Sequence, residues 1–520
     1  MKIKNKKILY ILLIIFISGN ISCNKILDIP PQGKLTSDQY WKSRDQAIAA
    51  IAGIYQGFGT TNTTLTGGGT LSQTNMSPIE SYVEWGDMRG DLLTVAAGQL
   101  PATATDNETA KENVDNFTMT ALDETTKYTN FYKLIDQANL AIKYIPSVPA
   151  LDPSLSTTEA NQLIGEAYFL RAYAYFWLVR TFKDVPMILV PSETDAQDYN
   201  IPKSSSDVVC AQIIQDLTIA RNTLPEWYTN TAYPRCRATI YSAMTVLSDV
   251  ELWVAATTKN TANNNALYDK VIINCDSVIN SGRFLLLAGV SLNNIFAGNS
   301  FEAIFESYAN GSLNQSNAIN SWFLKYYLFP SALTGLFSPG DFRGTAPPSG
   351  TLYIDQKGFI NKYNPAGGNS RWEFYRLPDV MLMKAEALAH RYPDDVPHLQ
   401  IACDLINQIR QRAFVTATNA IYQKVTPSTT VNMDNALLDE RGREFYGEGK
   451  RWFDLVRFAS RDNIAHPEFL TQRVISSFDA VTQLIIAPRI QNPDGWYMPL
   501  NQVAIDSSNG KLIQNPYYQQ

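Results

Sequence analysis

The side chains best suited to grip a ligand fall in two runs. ESYVEWGDMRGDLLT places Trp85, Arg89 and Asp91 close together, and SWFLKYYLFP places Trp322, Tyr326 and Tyr327 before a proline. Flat aromatic faces suit C–H stacking on sugar rings, and a few planar guanidiniums or carboxylates suit the hydroxyls. On an isolated helix Trp322 and Tyr326 share a face at i,i+4, with Tyr327 offset. The competing reading has equal weight: Trp85 and Trp322 plug the core while Arg89 and Asp91 pair with each other.

Catalytic chemistry finds less support. The chain has no nucleophile elbow, phosphate loop or H-E-x-x-H pattern. A glycosidase needs two carboxyl groups roughly 5 or 6.5–9.5 Å apart, and the conspicuous acids stand beside arginines instead. In LLDERGREFYGEGKRWFDLVRF (437–458), Glu440 can reach Arg443, Glu448 can reach Arg451, and Asp454 can reach Lys450 and Arg457. Such pairing suits a structural clamp and points to binding without catalysis. Five cysteines and three histidines show no metal-site spacing, so no metal or other cofactor is expected. Cys210, Cys236, Cys275 and Cys403 read as buried free thiols, although spacing alone leaves their pairing open.

Positioning these groups falls to helices. Leu438, Gly442, Phe445, Gly449, Trp452 and Val456 step by four and three along one helical face, with two glycines where another backbone would pack. Alternatively, Gly447-Glu448-Gly449 breaks the helix and a second starts near Lys450. Apolar periodicity predicts further helices over 131–145, 159–182, 206–224, 237–256, 266–281, 377–391 and 399–412. Small residues alternate with large aromatics along 159–182, the composition of packed helix pairs. The pattern lapses over 57–120, rich in Gly, Thr and Asn, and over 290–370, where 301–306 alternates like a short strand. Loop-borne residues of these stretches are the ones placed to meet ligand.

The chain has 520 residues, a formal net charge of −6 and no long basic run, so no nucleic-acid partner is expected. Its 27 tyrosines and 9 tryptophans suit a stacking surface or an aromatic core. The first seven residues carry four lysines, and Ile8 to Ile17 is an apolar run too short to span a bilayer, the form of an export signal.

The run ERGREFYGEGKRWFDLVRF is similar to the C-terminal signature of the SusD/RagB family. GEAYFLRAYAYFWLVRTFKDVPMIL, RLPDVMLMKAEALAH and the end from Trp496 to Tyr518 resemble further family motifs, with Tyr517 where the family usually has glycine. Asn20-Ile21-Ser22-Cys23 resembles a lipobox with Asn20 in place of leucine. The resemblance implies a signal peptide over 1–22, lipidation at Cys23 and one SusD-like domain over 23–520. Its fold would be mainly α, a tetratricopeptide-like helical-hairpin scaffold with large irregular loop insertions and a few short strands.

The resemblance also implies a surface-facing outer-membrane lipoprotein, touching the membrane through its lipid anchor only. It would bind oligosaccharide or polysaccharide and deliver it to a SusC-like TonB-dependent outer-membrane transporter, closing over the barrel as a lid. It would not be an enzyme. Alternatives are a helical-repeat scaffold, a peptide-binding lipoprotein or, with less support, a surface glycoside hydrolase. Ligand identity is least readable over 57–120 and 290–370, the ligand-facing parts in the family.

Overall fold

Alternating small and aromatic side chains decide how the central helices pack. The structure, a computed structural model, describes residues 40–59, 63–65, 71–73, 78–95, 106–194, 197–229, 234–258, 263–307, 327–330, 335–344, 353–355, 358–363, 370–414 and 424–519. The signal and lipobox, including Cys23, lie outside these. Residues from Ser43 onward form one unit. It is mainly helical, with the few short strands expected.

In chain order the first helices are α1 (Arg44–Gly59), α2 (Pro78–Gly86) and α3 (Asp106–Asp115). A continuous series follows: α4 (Thr129–Tyr144), α5 (Thr157–Phe182), α6 (Ser206–Thr223), α7 (Ile240–Thr257), α8 (Asn264–Ile279), α9 (Leu377–Arg391) and α10 (Val396–Arg412). Each member packs on the next, the arrangement of stacked helical hairpins. α11 (Thr430–Phe445) packs on α9 and α10, and α12 (Arg451–Ile464) packs on α11 and α7.

Local signals start and stop these helices. Ser156 accepts the Glu159 N–H at 3.1 Å at the start of α5, and Thr239 with Ser242 forms a reciprocal capping box on α7. Such caps contribute about 1 kcal/mol each. α5 ends at Lys183 (φ 68°) before the Asp184-Val185-Pro186 turn. Its small residues set the spacing: a Cβ on Gly165 would stand 2.3 Å from Thr223 Oγ1 of α6.

Two sequence expectations change. Residues 57–120 read as loop, yet α2 and α3 lie there. α2 is buried on every side, which removes the polar face that periodicity needs. The Leu438–Val456 face does not continue as one helix. α11 stops at Phe445, Gly447 and Gly449 take φ 73°, and α12 begins at Arg451. The close backbone is real all the same. A Cβ on Gly449 would lie 2.8 Å from Tyr82 O, and one on Gly86 would lie 2.0 Å from Gly449 O.

Candidate ligand-binding face

Two short strands join the insertions. β3 (Thr94–Val95) pairs antiparallel with β7 (Tyr327–Leu328), Thr94 opposite Leu328 and Val95 opposite Tyr327. Phe329 N–H donates to Gly358 O at 2.8 Å, adding residues 353–355 and 358–363 to the same layer. From α3, Asp115 accepts Val95 N–H at 3.1 Å and the Thr94 hydroxyl at 2.8 Å; burial pushes its carboxyl up to about 6. Lys111 of α3 reaches the Glu84 carboxylate of α2 at 2.6 Å, both buried.

The residues nominated as ligand contacts are corrected where the structure describes them. Trp85 has no exposed surface. It stacks on Phe131 at 5.0 Å, meets Phe182 edge-on at 5.2 Å and donates Nε1–H to Thr125 O at 2.7 Å. Arg89 is buried over Trp452, 4.2 Å from the ring, and donates to the carbonyls of Trp496 and Gly495 at 2.7 and 2.6 Å. Burial lowers its pKa to about 10. Asp91 does not pair with Arg89. It takes both Nε and Nη2 of Arg451 at 2.6 and 2.7 Å. Burial acts to raise its carboxyl, but Arg451 holds it below the usual range. Tyr327 is 1% exposed inside the joining strand. A ring with no free face cannot stack on a sugar, which applies to Trp85 and Tyr327, while Arg89 and Asp91 are buried against partners of the protein itself. Trp322 and Tyr326 lie outside the described residues.

Beneath the layer is a buried ionic mount built from the 437–458 signature. Arg343 bonds Asp341, Glu440 and Glu444, each at 2.8 Å. Arg376 bonds Glu448 at 2.8 Å, Glu302 at 3.2 Å and Glu444. Arg412 bonds Glu302 at 2.9 Å and Glu444. Lys362 reaches Glu448 at 2.7 Å inside a box of Phe296, Tyr353 and Tyr446 rings; burial brings its pKa down to about 8. Burial would raise Glu440 and Glu448, yet the arginines around Glu440, and Arg376 with Lys362 around Glu448, hold each at about 2. Thus Glu302, Arg343 and Lys362 of the second insertion are pinned to Arg376 just before α9, to α10, to α11 and to the turn after α11, while Asp341 is bonded to Arg343 within the insertion.

Of the local pairs expected from spacing, Glu440–Arg443 (2.9 Å) and Asp454–Arg457 (3.1 Å) form. Glu448 turns to Arg376 and Lys362, Arg451 to Asp91, and Lys450 to Asp379 at 2.7 Å. Glu306 and Glu373 face each other across β6 (Ala303–Glu306) and β8 (Glu373–Arg376), but both are buried and Glu306 is bonded to Arg371. Among the described residues no group of three or more His, Cys, Asp or Glu side chains is arranged to hold a metal ion. Cys210, Cys236, Cys275 and Cys403 are buried free thiols, and no described helix is long and apolar enough to cross a membrane.

One ring was passed over in the sequence. Among the described residues from Ser43 onward, Trp227 is the single tryptophan that is not buried. Its signal was compositional: EWYTNTAYPRCR (226–237) follows α6 with three aromatics and two arginines in a connecting loop.

A family model described as "SusD family" matches residues 343–518, and one described as "Starch-binding associating with outer membrane" matches 74–268. The chain is 26% identical over 501 residues to SusD-like protein P38 of Formosa agariphila, covering 88% of this chain and 92% of that protein. It is 23% identical to SusD-like protein P2 of the same organism, over 92% and 95% of the two chains. A SusD superfamily protein of Bacteroides vulgatus has the same fold at TM-score 0.67 and 19% identity, covering 92% of this chain and all of that one. B. fragilis NanU matches at TM-score 0.66 and 20% identity over 95% of this chain. The ionic signature lies inside the first matched stretch and the Trp85 turn inside the second, so the two matches meet at one mount: the chain belongs to the SusD/RagB family.

Proposed function

We propose that this protein is an outer-membrane lipoprotein, anchored through Cys23 and facing the cell surface, that binds oligosaccharide. It delivers the cargo to a SusC-like TonB-dependent transporter, covering the barrel as a lid. The observation that carries the reading is the β3–β7 pairing, which merges two insertions into one layer over the ionic mount. A family description of starch binding and outer-membrane association supports it. Two or three acyl chains at Cys23, each contributing about 0.8 kcal/mol per buried CH₂, are enough for firm anchoring.

The glycan contacts are assigned to Trp322 and Tyr326, on the segment between β6 and β7. The protein binds without cutting: Glu440, Glu444, Glu448 and Asp454 are neutralised by buried Arg and Lys partners. The test is retention on native gels cast with a panel of polysaccharides. The parent should be retarded by at least one polymer without releasing reducing ends. Trp322→Ala should lose about tenfold in affinity, the size of a lost stacking contact, with unchanged cooperative unfolding. Loss of cooperativity in Trp322→Ala would make it a core residue and sink the assignment.

A further inference from the structure

Trp227 lies on the loop after α6, half-buried, with Phe284 at 6.3 Å between ring centroids. Two guanidiniums stand over its indole, Arg235 at 5.1 Å and Arg283 at 5.7 Å. Next to it Tyr228 carries Arg237 at 4.0 Å. Leu285 and Phe301, 59% and 60% exposed, adjoin Phe284 and are tied by Leu285 N–H donating to Phe301 O at 2.9 Å. A partly exposed indole thus lies beside two exposed apolar side chains.

The charges here are unbalanced. Arg237 is neutralised by Glu166. Among the described residues neither Arg235 nor Arg283 has a carboxylate within ion-pair distance, and Glu226, the residue before Trp227, pairs with neither. Arg235 is 5% exposed, donates Nη1 to Ala303 O and leaves Nε without an acceptor. Of the carboxylates whose charge reaches it, Glu306 is bonded by Arg371, and burial pushes Glu373 well above its ordinary value. A bound anion would meet the exposed Arg283 and the positive potential of the buried Arg235 while its sugar ring packed against the indole.

Taking the protein as a glycan binder, we propose that Trp227, with Arg283 and Arg235 at its ring, is a second platform that takes a pyranose bearing an anionic group, carboxylate or sulfate. Arg283 is exposed and meets the anion from solvent; Arg235 is fixed and sets the positive potential beneath. The platform belongs to the helical scaffold and is separate from the β3–β7 layer in sequence. A long acidic chain can therefore engage two places at once, with the gain in retention that linked sites give.

The experiment uses the full chain on gels cast with polygalacturonate, alginate, carrageenan or dextran. Retention by the first two assigns the anion as carboxylate, and by carrageenan as sulfate. The expected result is about tenfold weaker retention of the acidic polymer by Trp227→Ala. Arg283→Gln should weaken it too, with a shallower salt dependence and an unchanged melting temperature. Should Trp227→Ala fail to fold, Arg283→Gln carries the test, because its side chain is exposed. Dextran retained as well as the acidic polymers would overturn the proposal, and so would acidic retention unchanged in both variants. If Trp322→Ala alone abolishes retention, this platform falls while glycan binding stands. If the parent retains no polymer, both fall.

Discussion

Glu251 of α7 is a buried carboxylate whose nearest donor is Asn274 Nδ2 at 3.5 Å. Burial pushes it up to about 7 from an ordinary 4.5, against the pull of Lys270 and Arg221. The folded state therefore keeps a proton that the unfolded chain releases near 4.5. Stability present below 4.5 is lost as pH rises through 7, on the order of 3 kcal/mol. Glu251→Gln removes that loss: it should melt above the parent at pH 8 and with it at pH 4, measured by thermal unfolding at both values. Glu440 and Glu448 have the opposite sign, since their folded values near 2 make a contribution present above 4.5 that fades as pH falls. At this scale the sequence was only partly legible. It exposed the acids and arginines but not their partners: Asp91 finds Arg451 at a separation of 360 residues, and Arg89 finds Trp496 at 407. Local spacing suggested that Arg89 and Asp91 pair, and nothing local could have said otherwise.

Helices of the hairpin series were readable because most keep an apolar stripe over three or more turns, and α5 and α9, buried almost all round, are long runs of good helix formers. The expected 159–182 and 377–391 fall on α5 and α9 with ends shifted by two residues or none. Wholly buried α2 escaped because at nine residues it is also too short for its pattern to stand out from the loop composition around it. Its fit against the turn after α11 is the tightest helix contact described. Gly86→Ala would place a methyl 2.0 Å from Gly449 O, and Gly449 itself holds a positive φ that prevents simple yielding. The expected cost is about 3 kcal/mol or more, read as a lower urea midpoint. An unchanged midpoint would mean that the two backbones can part freely. The glycines in the signature announced a close approach; which chain approached was not encoded nearby.

For the molecule as a whole, the node is Glu444, which bonds Arg343, Arg376 and Arg412 together. Glu444→Gln leaves three buried guanidiniums short of a counter-charge, a loss of about 3–5 kcal/mol. The second insertion should loosen before the helices do. Urea melts followed by near-ultraviolet dichroism should then precede those followed in the far ultraviolet, whereas the parent's two curves should coincide. Superposed curves in the variant would show that the insertion and the stack share one cooperative unit. The proposed glycan-facing surface was the least legible part, because Trp322 and Tyr326 announce themselves only by type.

Fastening by ions differs from fastening by grease in being specific about place. An apolar contact slides by a residue at small cost, but Glu302, Arg343 and Lys362 fit their counterparts in one registry only. Those three ties take over part of the work of holding the second insertion in place. The protein works as a socket: what is plugged in, between residues 302 and 362, can be exchanged for other wording while its seat stays where it is.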